Sequence, residues 1–172
     1  MTDTDMNEAI ADIATRLAER LILRHETIAI AESSAGGLVS AALLAVPGAS
    51  RYFLGGAVVY TVAAREALLG ISRDDVTGMR SASEPYARLI AERTRLAHRA
   101  SWGLAETGAS GPTGNRYGDA AGHTCLAVSG PIARARTLET GLADRAGNMR
   151  HFTLAALELL EETLAEAPPP VG

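Results

Sequence analysis

Lysine is absent from this 172-residue chain, and all 16 of its basic side chains are arginines. A GC-rich genome is the simplest reason for such a composition, but the chemical restriction holds whatever the reason. Arginine keeps its proton near neutral pH, because losing it would cost at least about 7.5 kcal/mol. A reaction that depends on a lysine general base is therefore excluded.

Cysteine, long apolar runs and basic clusters are also scarce or missing. Cys125 is the only cysteine, which excludes an intramolecular disulfide and argues against a cysteine-based metal cluster. No apolar run approaches the roughly 20 residues of a membrane helix. A net charge of −4 without a basic run makes nucleic acid an unlikely partner. Residues 1–8 are polar and acidic rather than a signal peptide, so we expect a cytoplasmic protein.

The length and composition that remain fit a single globular domain. A chain of 172 residues can bury a sizeable core without disulfides, and its 47% hydrophobic and 21% charged residues are ordinary proportions. We expect residues 1–166 to form one domain. Residues 167–172, which include three successive prolines, are expected to form a flexible tail.

Hydrophobic periodicity predicts helices that alternate with strands, followed by a late hairpin. The strands are predicted at residues 27–31, 56–60, 102–107, 123–128 and 132–140, and the helices at 10–24, 38–43, 62–69, 83–97 and 144–166. Gly70 is expected to close the third helix and Ser83 to cap the start of the fourth, whose inward stripe is predicted to be Leu89, Arg93, Leu96 and Ala97. The turn at residues 129–131 is too tight for a crossover, so the last two strands must be antiparallel. The predicted fold is α/β: a three-layer α/β/α sandwich on a mixed sheet of about five strands, with a C-terminal antiparallel hairpin.

A short turn at residues 31–37, with the sequence A-E-S-S-A-G-G, separates a predicted strand from a predicted helix. Ligands of open α/β sheets bind at the carboxyl ends of strands, and a helix start offers free N–H groups that attract phosphate or an oxyanion. Ser33 or Ser34 would then lie beside an anion site as a nucleophile or a hydrogen-bond donor. The alternative is a structural turn, in which a serine caps the helix and the glycines serve packing.

A second glycine-rich segment, residues 108–122, follows another predicted strand and contains five glycines. It matches neither the dinucleotide fingerprint nor the Walker pattern, but its composition suits a backbone nest with Arg116 as an anion clamp. A plain surface loop is the alternative. We expect a ligand pocket between this segment and the turn at residues 31–37. His123 is the one histidine that could join it, although a hydrogen-bonded structural histidine is the simpler interpretation, and no histidine has metal-ligand spacing.

Five motifs, in a fixed order along the chain, carry a resemblance to a known family. They are A-E-S-S-A-G-G at residues 31–37, P-G-A-S-R-Y-F at 47–53, G-A-V-V-Y-T at 56–61, S-A-S-E at 81–84 and G-A-S-G-P-T-G at 108–114. With these motifs the chain resembles the stand-alone C-terminal domain of the CinA family, the nicotinamide-nucleotide amidase group. Larger members of that family carry a separate N-terminal domain, to which nothing in this sequence corresponds.

The resemblance implies an amidohydrolase that converts nicotinamide mononucleotide to nicotinate mononucleotide and ammonia, with no metal and no cofactor. The family's serine nucleophile, tyrosine and lysine fall on Ser33, Tyr60 and position 65, which is Arg65 here. The substrate-binding residues implied are Glu32, Ser34, Gly36, Gly37, Ser110, Gly111, Gly114, Asn115 and Arg116. The expected partners are a small-molecule nucleotide and further copies of the chain in a homo-oligomer, with neither nucleic acid nor a membrane.

Arg65 departs from the family pattern, and the departure has a direct chemical consequence. Burial can bring a lysine base, with an ordinary pKa of about 10.4, to neutral pH, whereas it cannot do so for an arginine. Arg65 could instead hold an anion, or favour a Tyr60 phenolate that activates Ser33. The glycine loop departs as well, because N-R-Y-G-D at residues 115–119 replaces a lysine-containing stretch.

Three hypotheses about function therefore stand side by side. The first is a nucleotide-binding hydrolase with altered base chemistry. The second is a catalytically impaired homologue that binds a pyridine nucleotide or a related phosphate without turnover. The third is a subunit that acts mainly through assembly with a partner. Release of ammonia separates the first hypothesis from the second, and nucleotide binding separates both from the third.

Overall fold

The computed structural model describes residues 2–170 and is organised around a mixed sheet of five strands. The strands are β1 (Ile28–Glu32), β2 (Phe53–Val58), β3 (Trp102–Ala109), β4 (His123–Ser129) and β5 (Arg134–Glu139), in the spatial order β2-β1-β3-β4-β5. β1 pairs in parallel with β2 and β3, whereas β4 runs antiparallel to β3 and β5. The predicted mixed sheet and its C-terminal antiparallel hairpin are confirmed.

Helices cover both faces of the sheet. They are α1 (Asp3–Arg24), α2 (Leu38–Leu44), α3 (Val62–Leu69), α4 (Glu84–His98) and α5 (Arg145–Glu166). α1, α2 and α5 share one hydrophobic core with the sheet, and α3 and α4 share a second core on the opposite face. The predicted three-layer sandwich is therefore confirmed. Within residues 2–170, every helix is too short or too polar to cross a lipid bilayer.

The two faces of the sheet carry side chains of different size. Bulky side chains face α1 and α5, and these are Ile28, Ile30, Leu104, Leu126 and Val128. Smaller ones alternate with them on the α4 face, mostly alanines. Gly103 lies directly under α4, where an added Cβ would stand only 2.1 Å from the carbonyl oxygen of Ala91. The small residues therefore allow α4 to pack closely on the sheet, and they bring its first turn to the end of β3.

The helix ends follow the capping residues that the sequence offers. The side chain of Thr61 accepts a hydrogen bond from the backbone N–H of Ala64 at the start of α3, and Gly70 closes that helix in the left-handed conformation. Ser83 caps α4 by accepting from Tyr86, and Asp144 caps α5 by accepting from Gly147. The predicted roles of Gly70 and Ser83 are confirmed.

Two local predictions are wrong. β2 spans Phe53–Val58 rather than residues 56–60, because its parallel pairing with β1 begins at Phe53. Of the predicted inward stripe of α4 (Leu89, Arg93, Leu96 and Ala97), Leu89 packs against the core and is partly buried, but the side chains that are buried are Tyr86, Ala87, Ile90, Ala91 and Thr94. Leu96 is 55% exposed. The contact face of α4 combines small residues with Tyr86 and Ile90, so the positions of the leucines alone did not identify it.

The end of α5 remains attached to the domain. Ala167 is buried, and the guanidinium of Arg24 donates a 2.6 Å hydrogen bond to the carbonyl of Pro168. Residues 168–170 are exposed. The last two residues of the predicted tail, 171 and 172, lie outside the described residues.

Candidate functional site

A cleft of about 440 Å³ opens at the edge of the sheet where β1 and β3 end. The turn after β1, the segment that joins β2 to α3, the approach to α4 and the glycine-rich loop after β3 form its walls. Its volume lies within the range of roughly 300–1,000 Å³ that small-molecule sites occupy. The two glycine-containing segments singled out by the sequence therefore face one cleft.

The residues predicted for the site divide into two groups. Those that line the cleft are Ser33, Tyr60, Arg65, Asn115 and Arg116. Those that lie outside its lining are Glu32, Ser34, Gly36, Gly37, Ser110, Gly111 and Gly114. The three candidate catalytic side chains thus meet at one place, together with two residues of the glycine-rich loop.

Glu32 is occupied by the helix that follows it. Its buried carboxylate accepts hydrogen bonds from the backbone N–H groups of Gly37, Val39 and Ser40 at 2.8, 3.1 and 2.9 Å, and from the Ser40 hydroxyl at 2.8 Å. Glu32 therefore satisfies the N-terminus of α2. The expectation that free N–H groups at this helix start would hold a ligand anion is wrong, because the protein's own carboxylate fills that position.

Glu106 holds the other side of the same turn. Its carboxylate, inside β3, accepts hydrogen bonds from the N–H of Ser33 at 3.0 Å, the N–H of Ala35 at 2.8 Å and the hydroxyl of Thr124 at 2.9 Å, and it also accepts one from the hydroxyl of Ser34. Burial raises the pKa of Glu106, and these four hydrogen bonds oppose the rise. Sequence reasoning missed Glu106, although a lone acidic residue within an apolar strand was a usable signal.

Ser33 sits at the end of β1 with its backbone fixed and its hydroxyl free. Its N–H donates to Glu106, and the residue is half-buried in the cleft wall. No hydrogen bond to the Ser33 hydroxyl is present among residues 2–170. The oxygen of a potential nucleophile is therefore presented to the cleft without a resident base bonded to it.

Tyr60 is connected to the far end of the chain through an arginine. The guanidinium of Arg145, the first residue of α5, donates to the Tyr60 hydroxyl at 3.2 Å and to the carbonyl of Gly111 at 2.6 Å. Tyr60 itself is 60% exposed. Arg145 thus ties the tyrosine to the glycine-rich loop, and nothing in the local sequence around either residue foretells this contact.

Arg65 is a buried cation that has no anionic partner among the described residues. It lines the cleft with only 6% of its surface exposed, and its Nε has no hydrogen-bond partner. Within residues 2–170, no carboxylate lies within 4.0 Å of its guanidinium nitrogens.

The nearby Tyr86 also lines the cleft. Burial raises the pKa of its hydroxyl, and the positive charge of Arg65 opposes that rise. Tyr86 was missed, although it follows the Ser83 cap within the first turn of α4.

The glycine-rich loop is held in shape by Asp119. Its carboxylate accepts from the guanidinium of Arg80 and, at 2.8 Å, from the side-chain amide of Asn115, while Asn115 Oδ1 accepts from the N–H groups of Tyr117 and Asp119. The Arg80 guanidinium is the main reason that the pKa of Asp119 is lowered. These bonds place Arg116 and Tyr117 in the cleft wall.

His123 lies behind the cleft wall rather than in it. One ring nitrogen contacts Glu139 and the other lies 2.8 Å from the carbonyl oxygen of Ala82. Although burial opposes protonation, these contacts raise the pKa of His123. The ring is fully hydrogen-bonded, as a structural histidine would be.

Across residues 2–170, no three His, Cys, Asp or Glu side chains gather as a metal site would require.

Removing the Glu32 carboxylate provides a test of its structural role. Glu32→Ala should lower the free energy of unfolding by about 3 kcal/mol, because buried donors at the start of α2 lose their acceptor. Urea denaturation would measure the change. Glu32→Gln, which keeps an acceptor oxygen, should cost less. If Glu32→Ala instead left stability unchanged while abolishing ligand binding, Glu32 would belong to the ligand site after all.

Together, these observations define an α/β domain of three layers with a strand-end cleft that is lined by a serine and two arginines. The chain belongs to the CinA C-terminal domain family, whose family model matches residues 10–164.

Sequence relatives and solved structures support the same family. The chain is 36% identical over 162 residues to a CinA-like protein of Anaeromyxobacter sp. (strain Fw109-5), covering 94% of this chain and 40% of that relative. It is 41% identical over 125 residues to a CinA-like protein of Prochlorococcus marinus (strain MIT 9313), covering 73% and 28%. This chain thus spans two fifths or less of the length of these relatives.

Among solved structures, a CinA superfamily protein from Escherichia coli superposes with a TM-score of 0.85 at 25% identity, covering 95% of this chain and 93% of that one. A competence/damage inducible protein from Agrobacterium tumefaciens gives 0.84 at 26% identity, covering 92% and 96%. Both structures therefore match this chain as a whole.

Proposed function

We propose that this protein is an amide hydrolase of the nicotinamide-nucleotide type whose base chemistry is altered by Arg65. The substrate would be nicotinamide mononucleotide, and the products would be nicotinate mononucleotide and ammonia. Membership of the CinA family and the meeting of Ser33, Tyr60 and Arg65 at one cleft support this proposal.

The main observation behind the proposal is that Arg65 is buried and has no anionic partner among the described residues. A buried charge without an anionic partner is costly, so a ligand that brings an anion would offset that cost. The only charged side chains that line the cleft within the described chain are Arg65 and Arg116, both cationic. In the proposed reaction negative charge on the carboxamide oxygen, and then on the carboxylate product, would pair with Arg65, while the phosphate of the mononucleotide would pair with the guanidinium of Arg116.

The reaction would proceed through an ester on Ser33. The serine oxygen attacks the carboxamide carbon, the C–N bond breaks, and the nitrogen leaves as ammonia after it takes up a proton. Water then attacks the ester carbon, the bond to the serine oxygen breaks, and the carboxylate is released. Each attack needs a group that accepts a proton from the attacking oxygen.

The surroundings of the turn decide which groups can assist these steps. The backbone N–H groups of Ser33, Ala35 and Gly37 are already bonded to Glu106 or Glu32. Arg65 is therefore the donor available to stabilise negative charge on the reacting carbonyl oxygen. Tyr60, whose hydroxyl is bonded to Arg145, could accept a proton only as a phenolate, after its own hydroxyl proton has been lost.

A second candidate function is binding without turnover, and a specific observation favours it. Arg65 stands where the family lysine would act, and an arginine does not accept a proton near neutral pH. No hydrogen bond from the Ser33 hydroxyl to a base is present in residues 2–170. A protein of this kind would hold a pyridine nucleotide in the cleft and leave its amide intact.

Two assays on the purified chain separate these functions. Incubation with nicotinamide mononucleotide should release ammonia slowly, well below the rate of about 1–10³ per second that is typical of enzymes. Thermal unfolding with a panel of nucleotides should show stabilisation by pyridine mononucleotides. Stabilisation without ammonia would favour binding alone, and the absence of both would overturn the proposal.

Arg116 should contribute directly to nucleotide binding. Arg116→Ala should weaken the binding of nicotinamide mononucleotide by about 1.5–3 kcal/mol, the contribution of a charge-assisted hydrogen bond. Isothermal titration calorimetry would measure it. Arg88→Ala is the matched control, because Arg88 is exposed on α4 and lies outside the cleft lining. Equal affinities for the two variants would remove Arg116 from the site.

A further inference from the structure

The charges around the cleft are distributed unlike those of the rest of the protein. The chain carries 20 acidic and 16 basic side chains, yet no acidic side chain lines the cleft among residues 2–170. The two arginines that line the cleft differ in their exposure to solvent. Arg65 is 6% exposed in the wall, whereas Arg116 is an exposed residue of the glycine-rich loop. The cleft therefore offers one buried and one hydrated cationic position.

These two positions suit different anionic groups. Arg116, in contact with water, can pair with a phosphate without stripping the hydration of a strongly charged group. Arg65 is buried and its Nε has no hydrogen-bond partner within residues 2–170, and a planar carboxylate can accept two parallel hydrogen bonds from a guanidinium fork. A carboxamide offers only one neutral oxygen, together with an NH₂ group that repels the guanidinium N–H donors.

We infer that the cleft selects the acid form of a pyridine mononucleotide over the amide form, with the ring carboxylate paired to Arg65 and the phosphate to Arg116. This inference rests on the proposed pyridine-nucleotide ligand. It adds that the product of the proposed hydrolysis is the form held most tightly. Product that accumulates then competes with the amide for the cleft.

Calorimetric titration with four ligands tests this assignment. The ligands are nicotinate mononucleotide, nicotinamide mononucleotide and the two corresponding ribosides, which lack the phosphate. All titrations use the Ser33→Ala background, so that the amide ligands stay intact. The acid should bind at least about tenfold more tightly than the amide in both pairs, because a charged hydrogen-bonded pair is worth about twice a neutral one.

Substitution of each arginine assigns the two anions to their positions. In Arg65→Met the acid should lose its advantage, while affinity for the amide should change less than about threefold. In Arg116→Ala both mononucleotides should weaken together, while the ratio of acid to amide affinity stays unchanged. Thermal unfolding checks that each variant is folded. If Arg65→Met does not fold, the ratio of acid to amide affinity in the protein that keeps Arg65 still tests the inference.

Several outcomes would overturn the inference. Equal affinity for acid and amide would do so, as would an acid advantage that survives Arg65→Met or that disappears in Arg116→Ala. Rapid ammonia release with equal affinities would leave the proposed hydrolysis standing and remove this selectivity alone. A clear preference for the acid without ammonia release would leave the selectivity standing and remove the proposed hydrolysis. If none of the four ligands binds, both proposals are wrong.

Discussion

Replacing Arg65 by lysine should raise the rate of nicotinamide mononucleotide hydrolysis about 10²–10⁴-fold, the contribution that general-base catalysis typically makes. The position is buried in the cleft wall without an anionic partner in the part of the chain that the structure describes, and burial should lower the pKa of a lysine there toward neutral pH. The lysine could then take the proton from the attacking oxygen. Ammonia release under saturating substrate would measure the gain.

The mechanism behind that gain is checked by two further variants. Ser33→Ala in the lysine background should abolish it, because the base would have no nucleophile to activate. Arg65→Met should show no gain, since it removes the arginine without supplying a base. The rate of the lysine variant should also rise with pH as the lysine loses its proton, and the wild type should lack that rise.

A fast wild-type protein would contradict this account of position 65. Turnover at about 1–10³ per second would place the base elsewhere and would end the hypothesis of binding without turnover. Glu32 is not a substitute base, because α2 already occupies its carboxylate. Tyr60, bonded to Arg145, would then be the residue to replace first.

Removing the Glu106 carboxylate should have the largest effect on stability. Glu106→Ala should lower the free energy of unfolding by about 3–5 kcal/mol, because two buried N–H groups and two buried hydroxyls lose their acceptor. Glu106→Gln is the matched control. Its oxygen can accept from Ser33 and Ala35, and its NH₂ can donate to the hydroxyls of Ser34 and Thr124. Urea denaturation of the three proteins would test the order.

Comparison of the wild type with Glu106→Gln also gives a prediction about how stability depends on pH. The pKa of Glu106 is raised above its ordinary value of 4.5 by burial, so the folded protein holds this proton more tightly than the unfolded chain. Its stabilising contribution is therefore complete below pH 4.5 and is lost as the pH rises through the folded-state pKa. The stability of the wild type relative to Glu106→Gln should fall over that range, and parallel curves would contradict the assignment.

Local sequence patterns were sufficient for most of the fold but for only part of the site. The five-stranded sheet and its hairpin follow from alternating hydrophobic segments and from the tight turn at residues 129–131. Ser33, Tyr60 and Arg65 meet because each comes soon after a strand that ends at the same edge. Glu106 and Arg145 could not be found this way. Their partners lie 73 and 85 residues away in the chain, and only folding brings them together.

The unequal faces of the sheet affect how this domain can change during evolution. Bulky side chains on the α1 and α5 face can exchange for others of similar volume, as hydrophobic cores generally tolerate. Larger side chains are not tolerated in the strands beneath α4, since even a methyl group at Gly103 would collide with the helix backbone. Because Tyr86 is part of α4, any enlargement there would be transmitted to the cleft. Substitutions are therefore tolerated mainly on the face of the sheet that lies away from α4 and the cleft.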